Sequence, residues 1–135
     1  MKHLLDVNAL IALGVFHHAF HDRVMAWITS LKDAPLLTCS ITELGFVRVT
    51  AQAPNYGFSV HQAKRLLLSL KTYKIMPIEF LPDGVDISLL PAWVKTPKQT
   101  TDGHLMQLAK ANGAVLATLD ERIPGAYLIP GGSRA

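Results

Sequence analysis

Cysteine occurs once in the 135 residues, at Cys39. An internal disulfide is excluded, and a lone thiol fits a reducing compartment. Charge is also sparse, 17% of residues against 50% hydrophobic, which is the reverse of a disordered chain. Long apolar runs are missing: Pro, Gly and polar residues break each one well short of the roughly 20 residues that a membrane span needs. The opening Met1-Lys2-His3-Leu4-Leu5-Asp6 reaches an acid too early for a secretory leader. A cytoplasmic protein is therefore expected. Repeats, low-complexity tracts and linkers are absent as well, so a single domain over residues 1–135 is expected, long enough to bury a real core.

What the chain does have is a mild cationic excess, with thirteen Lys and Arg against ten Asp and Glu, and a pI near 9.2. If four of the ten acids sank into one site, six would face thirteen bases. A basic surface around an acidic pocket suits a polyanion such as nucleic acid, although the same net charge occurs on many ordinary proteins.

His3-Leu4-Leu5-Asp6 reads as a short strand ending on a carboxylate. Val7 to Val15 and Ala19 to Leu31 carry apolar residues at helical spacing, and Asp33-Ala34-Pro35 stops the second run. Leu36 to Cys39 reads as a buried strand. Ser40-Ile41-Thr42-Glu43 then fits a capping box, with Ser40 as the cap and Glu43 closing it, and opens a helix towards Gln52. Ser59 caps another helix. Ile75 to Leu81 is a strand that Pro77 confines to an edge. Pro82 to Gln99 is loop with a helical turn near Leu89. Thr100-Thr101-Asp102 starts a strong helix that Asn112-Gly113 ends. Ala114 to Thr118 is a strand that stops at Leu119-Asp120, and Tyr127 to Ile129 is a short last one. Strands alternate with helices and are unbroken apolar runs. The expected architecture is α/β: a mostly parallel sheet of four to five strands with helices on both faces.

In such a sheet, ligands bind beyond the carboxyl ends of the strands. Asp6 and Asp120 end strands there. Glu43 and Asp102 lie in the first turns of helices that start at the same edge. The four acids are thus expected to converge. Each has an ordinary explanation alone: a capping box for Glu43, helix-dipole stabilisation for Asp102, simple strand ends for Asp6 and Asp120. Gathered together they would repel one another without a cation. Oxygen ligands of this kind suit Mg²⁺ or Mn²⁺, which can polarise a phosphate ester and activate water. The set therefore points to a small metal-dependent nuclease.

With these residues in view, the sequence resembles a PIN-domain protein, in particular the toxin subunit of VapBC-type toxin–antitoxin modules. Leu4-Leu5-Asp6-Val7-Asn8-Ala9-Leu10 resembles the family's opening motif, Ser40-Ile41-Thr42-Glu43 its second acidic motif, Thr101-Asp102 with Leu105, Leu108 and Ala109 its third, and Ala117-Thr118-Leu119-Asp120 its fourth. Each is short; their order and spacing over nearly the whole chain make the combination specific. The resemblance implies a PIN fold, Mg²⁺- or Mn²⁺-dependent endoribonuclease activity, a homodimer, and a small antitoxin that blocks the acidic pocket. Gly103 departs from the small Ala-like residue common at its position. Glu121, beside Asp120, stands near where some members carry a further acid or Asn, with a solvent-facing role as the alternative.

The roles that follow are Asp6, Asp102 and Glu43 holding the metal or its waters, with Asp120 binding a second ion or orienting the attacking water. Asn8, Thr101 and Thr118 are supporting candidates, against helix-start, capping and strand-packing roles respectively. Arg48, Lys98, Arg122 and Arg134 are candidate phosphate contacts. His17, His18 and His21 sit close in sequence but lack a zinc pattern. Phe16, Phe20, Trp27, Phe46 and Phe58 are available to a subunit interface or to the core. Other readings are a PIN-like RNA-processing nuclease, a degenerate PIN binding module, and a receiver-like phosphoacceptor domain. The last would need paired acids after the first strand, where Asp6 stands alone.

Overall fold

The computed structural model describes residues 1–31, 35–73 and 76–131. Five parallel strands, β1 (Lys2–Leu5), β2 (Leu36–Thr38), β3 (Ile78–Phe80), β4 (Ala114–Thr118) and β5 (Tyr127–Leu128), form one sheet in the order β3-β2-β1-β4-β5. The connections carry helices α1 (Val7–Gly14), α2 (His21–Ser30), α3 (Ser40–Gln52), α4 (Val60–Lys71) and α5 (Thr100–Ala111), with single 3-10 turns at Ile87–Leu89 and Pro97–Gln99. The expected α/β architecture is the one observed. Ile75, Asp33 and Ala34 lie outside the described residues, so the expected early start of β3 and the stop after α2 fall there in part; Pro77 precedes the strand, which occupies an edge.

Side chains on a strand alternate between faces, and β1 shows why both faces must be covered. Leu5 packs with α1 to α4 against Leu10, Phe46 and Leu67, whereas its neighbour Leu4 packs with Leu37, Leu105, Leu108 and Leu116 under α5. Leu4 and Leu5 are both fully buried. The register pairs Leu5 with Ala117 and Leu4 with Leu116 and Leu37. It therefore sets the residues that follow β1 and β4 side by side at one edge.

The helix starts depart from the sequence reading in one place that matters. The cap of α3 is Cys39, not Ser40, and the residue that reaches back is Thr42, whose hydroxyl accepts the Cys39 N–H at 3.0 Å. Glu43 takes no part in the cap. A hydroxyl one residue earlier does the same job more compactly, leaving the longer acid to project elsewhere. At α4, by contrast, Ser59 is the cap as expected, and Gln62 reaches back to complete a reciprocal pair.

Gly103 has a packing reason. A Cβ there would meet the Val94 methyl far inside contact distance, and Pro91 Cδ at 3.2 Å. The loop before α5 is thus seated directly on the turn that carries Asp102. Gly103→Ala gains up to about 1 kcal/mol of helix propensity, yet it should lower stability by about 1–3 kcal/mol through overpacking. In urea unfolding, Gly103→Ala and Val94→Ala together should cost less than the sum of the two. Additive costs would show that the loop does not rest on α5 at this point.

Candidate active site

Asp6 follows β1 and caps α1. Its Oδ1 accepts the Ala9 N–H at 2.8 Å, and its Oδ2 accepts the Thr118 hydroxyl at 2.5 Å. The side chain is 5% exposed. Thr118, the last residue of β4, also accepts the Asp120 N–H at 2.9 Å. One hydroxyl thereby ties the ends of β1 and β4 together and fixes the backbone of the second acid. Asp102 sits in the first turn of α5.

Charge shows how close these three are. Burial pushes the Asp6 carboxyl up to about 6; the negative charges of Asp102 and Asp120 push the same way, while the Thr118 and Ala9 hydrogen bonds pull it down. Burial also raises Asp102, with Asp120 adding to it and Arg122 opposing. Asp120 behaves differently. Arg122 donates to its carboxylate through the backbone N–H at 2.9 Å and Nε at 3.0 Å, and these bonds hold Asp120 below the usual range.

Glu43 lies at the same edge but its carboxylate is engaged. Oε2 accepts the Lys71 ammonium at 2.5 Å and the Thr38 hydroxyl at 2.6 Å. It lines a groove between α3 and α4 with Leu44, Val47 and Phe80, while Asp102 and Asp120 line a separate cavity of about 250 Å³ with Trp93, Lys98 and Arg122. The structure thus couples three of the four expected acids and leaves Glu43 paired with a base.

Among the described residues, no three His, Cys, Asp or Glu side chains surround one point closely enough to hold an ion. The pairing of Asp120 with Arg122 and of Glu43 with Lys71 is consistent with that. The donor chemistry still suits a hard divalent cation: Asp6 and Asp102 are carboxylates whose ionised forms are penalised by burial and by neighbouring acids, a penalty that a cation relieves.

The supporting candidates divide. Thr118 binds an acid. Thr101 is exposed and makes no hydrogen bond to an acid among the described residues. Asn8 is exposed and does not cap α1, because Asp6 does. Lys98 and Arg122 line the acid cavity, Arg48 is exposed away from it, and Arg134 lies outside the described residues. Glu121 is exposed on a neighbouring cavity. His21 Nδ1 is engaged with the Ala12 carbonyl at 2.7 Å and His18 Nδ1 with the Phe20 N–H at 3.0 Å. His104 pairs with Asp83, away from Asp102. Trp27 and Phe46 are core and Phe58 packs against it, but Phe16 and Phe20 are exposed. The partners Lys71 and Arg122 were the unforeseen part. Arg122 could have been found, since an Asp-x-Arg turn lets both groups meet; Lys71 is 28 positions from Glu43 and carries no local signal.

The PIN-domain sequence profile matches residues 3–127. This chain belongs to the PIN-domain family. Among its relatives, ribonuclease VapC38 of Mycobacterium tuberculosis is 36% identical over 125 residues, covering 87% of this chain and 84% of that protein. Ribonuclease VapC44 of the same organism is 34% identical over 140 aligned positions, covering 99% and 96%. The relatedness is thus to VapC-type PIN toxins over essentially the full length. The fold matches the crystal structure of M. tuberculosis VapC20, a Sarcin-Ricin loop cleaving toxin, with a TM-score of 0.63 at 12% identity over 95% of this chain and 99% of that one. It also matches a chain of VapBC2 from Rickettsia felis bound to a promoter DNA fragment, with a TM-score of 0.59 at 14% identity over 95% and 97%.

The raised Asp6 carboxyl makes a stability prediction. Below its unfolded pKa near 3.8 the group is protonated in both states and costs nothing. Between there and about 6 the unfolded chain ionises first, so metal-free stability falls as pH rises. The penalty at neutral pH is at most about 3 kcal/mol. Without divalent ions, Asp6→Asn should therefore melt above the parent at pH 7.5 and lose that advantage near pH 4. Mg²⁺ should raise the melting temperature of the parent and leave Asp6→Asn unmoved. A variant less stable than the parent at both pH values would refute the reading of Asp6 as an uncompensated buried charge.

Proposed function

We propose that this protein is an endoribonuclease that hydrolyses RNA phosphodiester bonds with a bound Mg²⁺ or Mn²⁺, and that it serves as the toxin of a VapBC-type pair held in check by a small cognate antitoxin. The observation that carries the catalytic part is the electrostatic coupling of Asp6, Asp102 and Asp120 at the carboxyl edge of the sheet, in a chain related over its length to VapC ribonucleases. A cytoplasmic homodimer is part of the same proposal by kinship. Among the described residues, no helix is long and apolar enough to cross a membrane.

Asp6 and Asp102 would hold the ion, with Asp120 beside them. A divalent cation there supplies Lewis acidity towards a phosphate oxygen and lowers the pKa of water. The chain's own part is positional. Thr118 and the Ala9 N–H lock Asp6 in one orientation, so its charge needs no reorganisation during the reaction. Lys98 and Arg122 line the acid cavity and place cationic donors for a phosphodiester beside the carboxylates. Arg122, held on Asp120, can exchange that carboxylate for phosphate with bidentate geometry.

Two measurements test this. Cleavage of defined single-stranded RNAs should require Mg²⁺ or Mn²⁺ and stop in EDTA, and Asp102→Asn should slow it by roughly 100-fold or more; activity that survives EDTA defeats the metal reading. Thr118→Val should slow cleavage by roughly 10- to 100-fold and raise the Mg²⁺ concentration needed. Unchanged metal dependence would reduce Thr118 to a packing residue.

A further inference from the structure

A second cavity, of about 530 Å³, adjoins the acid cavity, and Asp120 and Arg122 line both. Its other walls include Asn8, His18, Phe20 and Arg23. Glu121 and the shared Asp120 add carboxylates to its rim, but away from them the wall offers an exposed aromatic, a cation held on backbone carbonyls and two neutral polar side chains.

Phe20 precedes α2 and is 45% exposed although it is large and apolar. The Arg23 guanidinium lies 5.6 Å from the centre of its ring. Arg23 is not a loose surface charge. Its Nε and Nη2 donate to the Ile129 carbonyl at 3.1 and 2.5 Å, and Nε also reaches the Pro130 carbonyl at 3.2 Å. That arrangement fixes the cation beside Phe20 without consuming its charge on a carboxylate. His18 is fixed too: its Nδ1 accepts the Phe20 N–H, so in the neutral ring the other nitrogen carries the hydrogen and is a donor. Tyr56 lies parallel to the His18 ring at 6.4 Å. Tyr56 also packs against the core, but Phe20, His18 and Arg23 stand outside both apolar clusters, and among the described residues the three carboxylates make no hydrogen bond to them.

We infer that this cavity is the subsite for the nucleotide next to the scissile phosphate, with its unpaired base stacked on Phe20 and its phosphate facing Arg23. Any base has a face that stacks on an aromatic ring, and the shared wall at Asp120 and Arg122 sets the next phosphate against the acids. Asn8 and His18 offer amide and imidazole groups to a base edge, which makes them the residues that discriminate between bases. Duplex RNA keeps its bases stacked on one another and cannot use such a site, so the substrate class is single-stranded or looped RNA. The inference deepens the ribonuclease proposal and rests on it for the meaning of the cut.

Its test is independent of turnover. In EDTA, single-stranded RNAs carrying 2-aminopurine at successive positions should be quenched by the parent protein at one position far more than at the rest. Phe20→Ala should abolish that position-specific quenching and weaken binding roughly 10- to 100-fold, while Phe20→Trp retains it. Thermal melting of Phe20→Ala should match the parent, since the ring is not in the core. Arg23→Gln should lower affinity and flatten its salt dependence. In single-turnover cleavage with Mg²⁺, Phe20→Ala should slow the reaction on intact RNA but add nothing when the nucleotide at the quenched position is abasic. Equal quenching at every position, or a Phe20→Ala variant that binds and cleaves like the parent, overturns the subsite. A parent that shows the quenching but never cleaves would overturn the ribonuclease reading and leave the base site standing.

Discussion

The Thr118 hydroxyl is the joint on which the site depends. It donates to Asp6 at the end of one strand and accepts from the backbone of Asp120 just past the end of the next. Parallel pairing of Leu5 with Ala117 brings these ends level, but pairing alone leaves two acidic side chains free to swing apart. Repulsion would favour that. The hydroxyl, with the Ala9 N–H on the other carboxylate oxygen, holds Asp6 against the push. A buried carboxylate held beside two others stores unfavourable energy in the folded chain. Such strain is tolerable only because the rest of the sheet edge is rigid.

That rigidity comes from packing on both faces. Leu4 and Leu5 bury towards opposite layers, so a one-residue slip of β1 would swap each into the layer packed around the other and break both sets of close contacts. Gly103 adds a local version of the same constraint, with a loop seated so closely on α5 that no Cβ fits. Asp102 is carried on the same turn. The acids are therefore positioned by apolar contacts made one residue away from each of them.

Much of this was legible in the sequence, for a clear reason. Strand ends and helix starts are marked by local chemistry: the unbroken run before Asp6, the run before Asp120, the Thr100-Thr101 start beneath Asp102. A parallel sheet then converts sequence position into a shared edge. What stayed hidden was which carboxylates are already neutralised. Ser40 and Glu43 matched a capping box by type and spacing, yet Cys39 and Thr42 form the cap. Cys39 with Thr42 and Ser40 with Glu43 offered two registers one residue apart, and residue type alone favoured the wrong one. Glu43 then found Lys71 across α3 and α4, a pairing between distant residues that no local pattern encodes. Phe20 and Arg23 looked like helix-flanking residues of opposite kinds. Their relation appears only when the carbonyls of Ile129 and Pro130 anchor the guanidinium.

These pairings divide the labour among the four acids. Arg122 and Lys71 each satisfy one carboxylate from within the chain, and for Asp120 the bonds to Arg122 favour the ionised form. Among the described residues Asp6 and Asp102 have no such base: Asp6 is bonded to neutral donors, and the pull of Arg122 on Asp102 is weaker than the effect of burial. In the proposed nuclease, the role of holding a cation would thus fall on the pair that the strand end and the α5 turn bring together. It also gives Arg122 a double character. On the proposed mechanism, its partner carboxylate and an incoming phosphate would compete for the same fork of donors, at the wall shared by the two cavities. Substrate binding that draws Arg122 away would release Asp120 to join Asp6 and Asp102, so the negative charge available to a cation would rise as the phosphate arrives.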